Sequence, residues 1–199
     1  MLNKLPCLAA RPTGRPAAGD VAPPLDATDL DGHRVSLAGL RGGPVLVAFF
    51  RYASCPLCNL RVHELRRAWP RLQARGLRIV AVFQSPAEVM RRHVARHATE
   101  FPFVADPGLQ LYRAWGVERS WLGLAGSGLF GAGQLARAFV RGFLPGRVDG
   151  PVDRMPADFL VGADGRLREA FYARHAGEHL PLARLFELLD APSSHAGEK

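Results

Sequence analysis

From residue 45 the chain reads Val45-Leu46-Val47-Ala48-Phe49-Phe50, six apolar residues in succession. A run so short and so apolar suits a central strand buried on both faces. Beyond Cys55 the period changes. Cys58, Val62, Leu65, Trp69 and Leu72 recur at spacings of four, three, four and three, which predicts a helix with one apolar face. Pro70 lies inside it and is expected to kink it or end its first part. Gly76 closes the helix, and Leu77 to Phe83 reads as the next strand. Ser85-Pro86 predicts a further helix to about His97, with Ser85 as N-cap and proline at the first helical position. Phe101 to Val104 is a short extended piece, and Pro107 opens a short helix to about Trp115.

The flanks complete an α/β alternation. Upstream, Asp31-Gly32 signals a turn and His33 to Leu37 alternates like a strand, with Gly42-Gly43-Pro44 as a break. Downstream, Asp158 to Val161 and Arg166 to Tyr172 flank the turn signal Ala163-Asp164-Gly165 and form a hairpin, and an amphipathic helix follows near Pro181 to Leu189. The order predicts helices on both faces of a central mixed β-sheet. Residues 117–155 fit no repeat of this alternation. The stretch SWLGLAGSGLFGAGQLARAFVRGFLPGR is apolar and Gly-rich, and it reads as an insertion, either a packed surface helix and loop or a lid or dimer contact. Residues 1–19, rich in Pro, Gly and Ala, read as a flexible tail. A single domain is expected over 20–190, with 191–199 as a second tail.

Composition narrows the partners. At 199 residues, with 48% hydrophobic and 22% charged, the chain is an ordinary globular one. The net charge of +8 raises nucleic acid. The basic residues are nearly all arginine and interleaved with acids, with no run of five, so no nucleic-acid partner is expected. No apolar run reaches the roughly 18 residues of a transmembrane helix, and Pro6 interrupts any signal-peptide core. The expectation is therefore a cytoplasmic protein with no membrane partner.

The candidate chemistry lies in Cys55-Pro56-Leu57-Cys58. Cys55 sits where the buried strand hands over to the helix, and a helix N-terminus favours the reactive thiolate through its unpaired N–H groups and dipole. Cys58 follows one turn later, near enough to close a disulfide. The expected cycle is attack by Cys55 and resolution by Cys58. Pro56 suits the first helical turn. Arg51 would lower the thiol pKa or hold an oxyanion, or else is a solvated strand-end charge. His63 and Glu64 read as surface residues. A structural zinc site needs four ligands and this pair supplies two. The other candidates, His63, His93, His97 and Cys7, show no paired ligand spacing, and no metal is expected. No nucleotide-binding glycine pattern follows a strand, so no flavin or nicotinamide cofactor is expected. Arg154-Met155-Pro156 forms a second constellation, a fixed turn before a strand. A cis Met155–Pro156 bond would let the Met155 backbone face a partner, whereas a trans proline would only start an edge strand.

These residues resemble the thioredoxin fold, and within it the peroxiredoxin-like (AhpC/TSA) branch. GDVAPPLDATDLDGHRVSLAGLRGGPVLVAFF is similar to the start of that branch, FFRYASCPLC falls at its active-site position, and MPADFLVGADG resembles its later proline loop and hairpin. The resemblance spans about residues 19 to 190. It implies a thioredoxin-like fold, Cys55 as attacking thiol, Pro156 as a cis-proline facing it, and Tyr52, Met155 and Arg154 around the substrate. In the peroxidases of that branch, a Pro and a Thr or Ser precede the cysteine where this chain has Ala48 and Tyr52, and an arginine stands where this chain has Pro156. The resemblance is thus greatest to members with a C-x-x-C centre. It implies a thiol-dependent oxidoreductase acting on a hydroperoxide or a disulfide substrate, a thioredoxin- or glutathione-type reductant, and a homodimer as one possible assembly. The rival readings are a thioredoxin-fold module whose thiols bind copper(I) or zinc, and a redox-sensing interaction protein that uses residues 117–155.

Overall fold

The computed structural model describes residues 14–94, 100–130 and 132–191, with only the backbone of 126–130. Its centre is a five-stranded mixed sheet. Strand β1 (Asp26–Thr28) and β2 (Arg34–Ser36) pair antiparallel in a small sheet of their own. Strand β3 (Val45–Phe49) leads into helix α1 (Pro56–Gln73), β4 (Arg78–Phe83), α2 (Ala87–His93), β5 (Phe103–Ala105) and α3 (Gln110–Ala114). Helices α4 (Trp121–Phe130) and α5 (Ala132–Val140) occupy the segment that broke the alternation. The hairpin β6 (Ala157–Val161) and β7 (Leu167–Tyr172) follows, then α6 (Leu182–Asp190). The sheet order is β5-β4-β3-β6-β7, with β3, β4 and β5 parallel and β6 antiparallel to both β3 and β7. This is the α/β arrangement expected of a thioredoxin-like sheet, with helices α1 and α2 joining the parallel strands β3, β4 and β5 and a hairpin joining β6 to β7.

Every residue of β3 is buried because the strand has a core on each side. Leu46, Ala48 and Phe50 point into a cluster with Val62 and Leu65 of α1, Met90 of α2 and Leu185 of α6. Val45, Val47 and Phe49 point the other way, against Tyr112, Trp115 and Phe159. Phe49 meets the Tyr112 ring edge-on at 5.0 Å and the Phe159 ring at 5.8 Å, the favoured aromatic geometry. The strand's far end is pinned. The Phe50 N–H donates to the Val82 carbonyl at 2.8 Å, and the Tyr112 hydroxyl donates to the Phe50 carbonyl at 2.7 Å. The loop that carries the first cysteine therefore leaves from a fixed point.

Several boundaries differ from expectation. Helix α1 runs through Pro70 without ending there, since the exposed proline forfeits one intrahelical bond while Leu65, Ala68 and Leu72 remain buried. Ser85 does not cap α2, whose N-cap is Pro86. The Ser85 hydroxyl is engaged elsewhere, accepting the Ala53 N–H and donating to Asp149. Helix α3 starts later than Pro107, where the Asp106 carboxylate accepts the N–H groups of Gln110 and Leu111 at 2.9 and 2.8 Å. Part of the expected N-terminal tail is packed: Arg15 pairs with Glu118 at 2.6 Å, and the Gly19 N–H donates to the Leu167 carbonyl. Cys7 and His97 lie outside the described residues, as does the end of the helix expected to reach His97. No described helix is long and apolar enough to cross a membrane.

The sheet also buries a charge. Asp158 sits opposite Ala48 in β6, fully buried. It accepts from the Leu180 N–H at 2.7 Å and from Nδ1 of His179 at 3.1 Å, and Arg61 of α1 lies 3.7 Å away. Burial pushes its pKa up, but the His179 and Arg61 charges and the two hydrogen bonds outweigh that, and its pKa falls below the ordinary carboxylate value. The unfolded chain therefore takes up the proton first as pH drops. This stabilisation is complete at neutral pH and is lost as pH falls through the folded value. Asp158→Ala is expected to cost about 3 kcal/mol at pH 7, because it takes the carboxylate from buried His179 and leaves Arg61 with only the Leu180 carbonyl and Glu64. Urea unfolding measures this, and the gap between variant and parent should narrow in strong acid.

Candidate active site

Cys55 is the N-cap of α1, in extended backbone conformation (φ −71°, ψ 120°), and Pro56 fills the first turn, where a missing N–H costs nothing. The strand-to-helix handover read from the sequence is thus the observed one. Both thiols are free and buried, Cys55 at 1% exposure and Cys58 at 0%. They lie close together and differ sharply in acidity. The Cys55 pKa falls to about 6, chiefly because the Cys58 thiol hydrogen-bonds its sulfur; burial opposes this, and the Arg51 charge and the N–H groups of Cys58 and Leu57 assist. Cys58 shifts the other way, well above an ordinary thiol, through burial and through donation to the Cys55 thiolate. At neutral pH one sulfur is an anion and the other its proton donor.

Arg51 is buried, and its Nη1 lies 3.8 Å from the Cys55 sulfur. Its Nη2 donates to the Val152 carbonyl, and its guanidinium lies 5.2 Å from the centre of the Tyr52 ring. Tyr52 is partly buried, with a pKa raised by burial first and by the Cys55 charge next. The structure thus brings Arg51, Tyr52, Cys55 and Cys58 together.

The second constellation is placed differently. No cis peptide occurs among the described residues, so the Met155–Pro156 bond is trans, against the expectation. A trans proline suffices here. Ala157 enters the ladder opposite Phe49, and the Pro156 carbonyl accepts the Ala173 N–H at 3.1 Å. The Met155 N–H is not offered to a partner, because it donates to the Glu118 carbonyl at 3.3 Å. Arg154 is buried, donates to the Val117 carbonyl at 2.7 Å and lies over the Tyr112 ring. Register still puts Pro156 at the end of the sheet from which the Cys55 loop departs. Met155 and Pro156 line a cavity of about 570 Å³ with Val117, Arg119, Tyr172 and Arg174, a cavity that neither cysteine reaches. The thiols, and not this cavity, define the chemistry.

What the sequence reading missed is the roof. Residues 146–152 run as a strap across the cysteine loop. The Gly146 N–H donates to the Ser54 carbonyl at 3.4 Å, and the Ser54 hydroxyl to the Arg147 carbonyl at 2.7 Å. The Ser85 hydroxyl donates to Asp149 at 2.9 Å, and the Gln84 amide to the Pro151 carbonyl at 3.0 Å. With the Arg51 bond to Val152, the strap is tied along its length. A methyl group at Gly146 would stand 2.8 Å from the Ser54 Cβ, so the close approach needs glycine. The punctuation Pro145-Gly146 and Gly150-Pro151 was the available signal for such a strap. Of the metal candidates, His63 lies on α1 against Phe143 and His93 beside Gly146, and neither groups with the cysteines as a described metal cluster.

Fold and site define a thioredoxin-fold thiol oxidoreductase: a low-pKa cysteine at a helix N-terminus, a buried partner thiol one turn on, and a guanidinium beside them. Comparison with known proteins gives the family. The chain belongs to the AhpC/TSA family, which matches residues 18–170. Among its relatives, Rv2521 of Mycobacterium tuberculosis is 27% identical, aligned over 86% of this chain and 95% of its own length. Peroxiredoxin Bcp of Escherichia coli is 29% identical over 56% of this chain and 73% of its own. The crystal structure of peroxidoxin BcpB from Mycobacterium tuberculosis superposes with a TM-score of 0.62 at 15% identity, covering 88% of this chain and 95% of that one, which shows the shared fold.

Three outcomes are expected. Alkylation of Cys55 should rise with pH through a midpoint near 6 and then level off, since the thiolate is the reactive form. In Arg51→Gln the midpoint should move up by about one unit, as removing a nearby opposite charge requires. Ultraviolet thiolate absorbance against pH measures both. Gly146→Ala should lift the strap and speed labelling by a bulky maleimide more than by iodoacetamide, measured at equal pH.

Proposed function

We propose that this chain is a thiol peroxidase that cycles Cys55 and Cys58 between dithiol and disulfide. The Cys55 thiolate attacks the terminal oxygen of a hydroperoxide. The O–O bond breaks, the alkoxide leaves and takes a proton to become the alcohol, and Cys55 becomes a sulfenic acid. Cys58 then attacks that sulfur, water departs, and the two cysteines are joined by a disulfide. A dithiol or two monothiols, of the thioredoxin or glutathione type, supply the two electrons that restore the pair. Cys55 is the nucleophile, Cys58 the resolving thiol, and Arg51 the cation that steadies the thiolate and the developing oxyanion. Tyr52 bounds the space beside the sulfur. Pro156, Met155 and Arg154 hold the entry to the neighbouring strand β6.

The observation that carries this reading is the opposed acidity of two adjacent buried thiols, with Arg51 3.8 Å from the lower one. Burial at 1% exposure under the strap favours a small oxidant as the partner of the Cys55 thiolate. The names of the relatives, peroxiredoxin Bcp among them, support the same substrate class. The cycle needs a compartment that supplies reductant, which suits the cytoplasm.

The test uses the reduced protein, one equivalent of hydrogen peroxide, and free-thiol counts with intact mass over time. The parent should lose both thiols of the pair, with a mass change of two hydrogens. Cys55→Ser should fall to the uncatalysed rate. Cys58→Ser should still consume peroxide and stop at one added oxygen. Slow reaction with peroxide but fast exchange with a disulfide would assign the protein to disulfide exchange instead.

A further inference from the structure

Seven large apolar side chains stand exposed among the described residues, and six of them belong to one segment. Trp121 and Leu122 open α4 at 63% and 89% exposure. Phe139 and Val140 end α5, and Leu144 and Val148 follow. Val140 and Leu144 are four residues apart and are exposed by 89% and 71%. Such a concentration at the start of α4 and around the end of α5 is denser than scattered surface apolarity. The charge of the same segment is as lopsided. Residues 119–148 contain Arg119, Arg137, Arg141 and Arg147 and no Asp or Glu. Arg119 is neutralised by Asp153 at 2.8 Å, whereas Arg137, Arg141 and Arg147 form no ion pair with a described residue. The positive field is felt underneath: His63 on α1 has its pKa held down by burial and then by Arg141, Arg67 and Arg66.

We infer that Trp121 and Leu122 at the start of α4, and Phe139, Val140 and Leu144 at and beyond the end of α5, together with Arg137, Arg141 and Arg147, dock the protein on an anionic lipid bilayer. The arginines meet the headgroups, and Trp121, Leu122, Phe139, Val140 and Leu144 enter the acyl boundary. A helix that lies in the interface needs only one apolar face and a basic flank, so the lack of a spanning helix does not oppose it. The expectation of no membrane partner rested on spanning length and on the lack of a signal-peptide core, neither of which bears on an interfacial helix. A second copy of the chain fits worse, since a two-fold contact would bring two sets of Arg137, Arg141 and Arg147 to one interface. A bilayer supplies anionic charge and an apolar layer together, and it makes no demand for shape. Helix α5 is backed by α1 through the buried Ala138, so the exposed side chains face away from the core. Leu144 lies two residues before Gly146, whose N–H holds the Ser54 carbonyl, so docking brings lipid up to the strap over Cys55.

The inference is independent of the peroxidase reading, and so is its test. The full-length protein is sedimented with vesicles of phosphatidylcholine alone or with phosphatidylglycerol added, at low and high salt, and tryptophan emission is recorded. The expected result is binding to the anionic vesicles, at least tenfold weaker in high salt, with a blue shift that Trp121→Phe abolishes. The double variant Val140→Ser, Leu144→Ser and the double variant Arg137→Gln, Arg141→Gln should each bind about tenfold more weakly with unchanged thermal melts. Cys55→Ser should bind as the parent does, which separates this result from any failure of the thiol chemistry. No binding to anionic vesicles overturns the inference. So does binding that the serine variant leaves unchanged, since that would be adsorption of the +8 chain by charge alone. A concentration-dependent dimer that the serine variant dissolves, without vesicle binding, would give the face to a second copy.

Discussion

Burial of β3 on both faces is the constraint on which the site depends. With a core on each side, the strand can neither shift nor tilt without breaking contacts in both. Its end is tied to the neighbouring strand and to Tyr112 of α3. The four residues from Arg51 to Ser54 therefore start from a fixed atom, and α1 must begin where they end. Cys55 is at the helix N-terminus because the strand's length and the turn leave it nowhere else.

The same burial makes the electrostatics demanding. A thiolate at 1% exposure is costly unless something nearby stabilises it. Here the compensation is local: a donated S–H from Cys58, the Arg51 guanidinium, and two backbone N–H groups. Asp158 shows the same solution on the other side of β3's ladder, where His179, Arg61 and the Leu180 N–H surround a buried carboxylate. In both places a charge is kept inside by partners drawn from different elements. The partners of Asp158 link α1, β6 and the chain before α6, and those of Cys55 link α1 to the end of β3.

The sequence made the first half of this legible. A six-residue apolar run has few homes other than a central strand, and a 4-3-4-3 spacing has few other than a helix, so β3, α1 and the cysteine between them could be read directly. Helix boundaries were less legible because they were set by competition. Ser85 carries an N-cap side chain, but a loop N–H and Asp149 claimed its hydroxyl. Pro156 was read as cis from the resemblance, and the backbone reaches β6 in trans with Met155 and Ala173 already satisfied. The strap was invisible because its bonds are made mostly by backbone carbonyls and glycines, which no hydrophobic period marks. Asp158 was equally hidden: an aspartate beside Phe159-Leu160-Val161 reads as a strand end until His179 is seen against it.

Roof and thiolate belong to one balance. Each bond that holds residues 146–152 in place also keeps water from Cys55, which strengthens the Arg51 and Cys58 interactions that make the sulfur an anion. Loosening the strap would admit larger reactants and at the same time weaken the electrostatics that activate the thiol. Arg51 joins the two effects, since one of its nitrogens faces the sulfur and another holds the strap at Val152. When Cys55 is oxidised and its negative charge is lost, Arg51 loses one of its two partners.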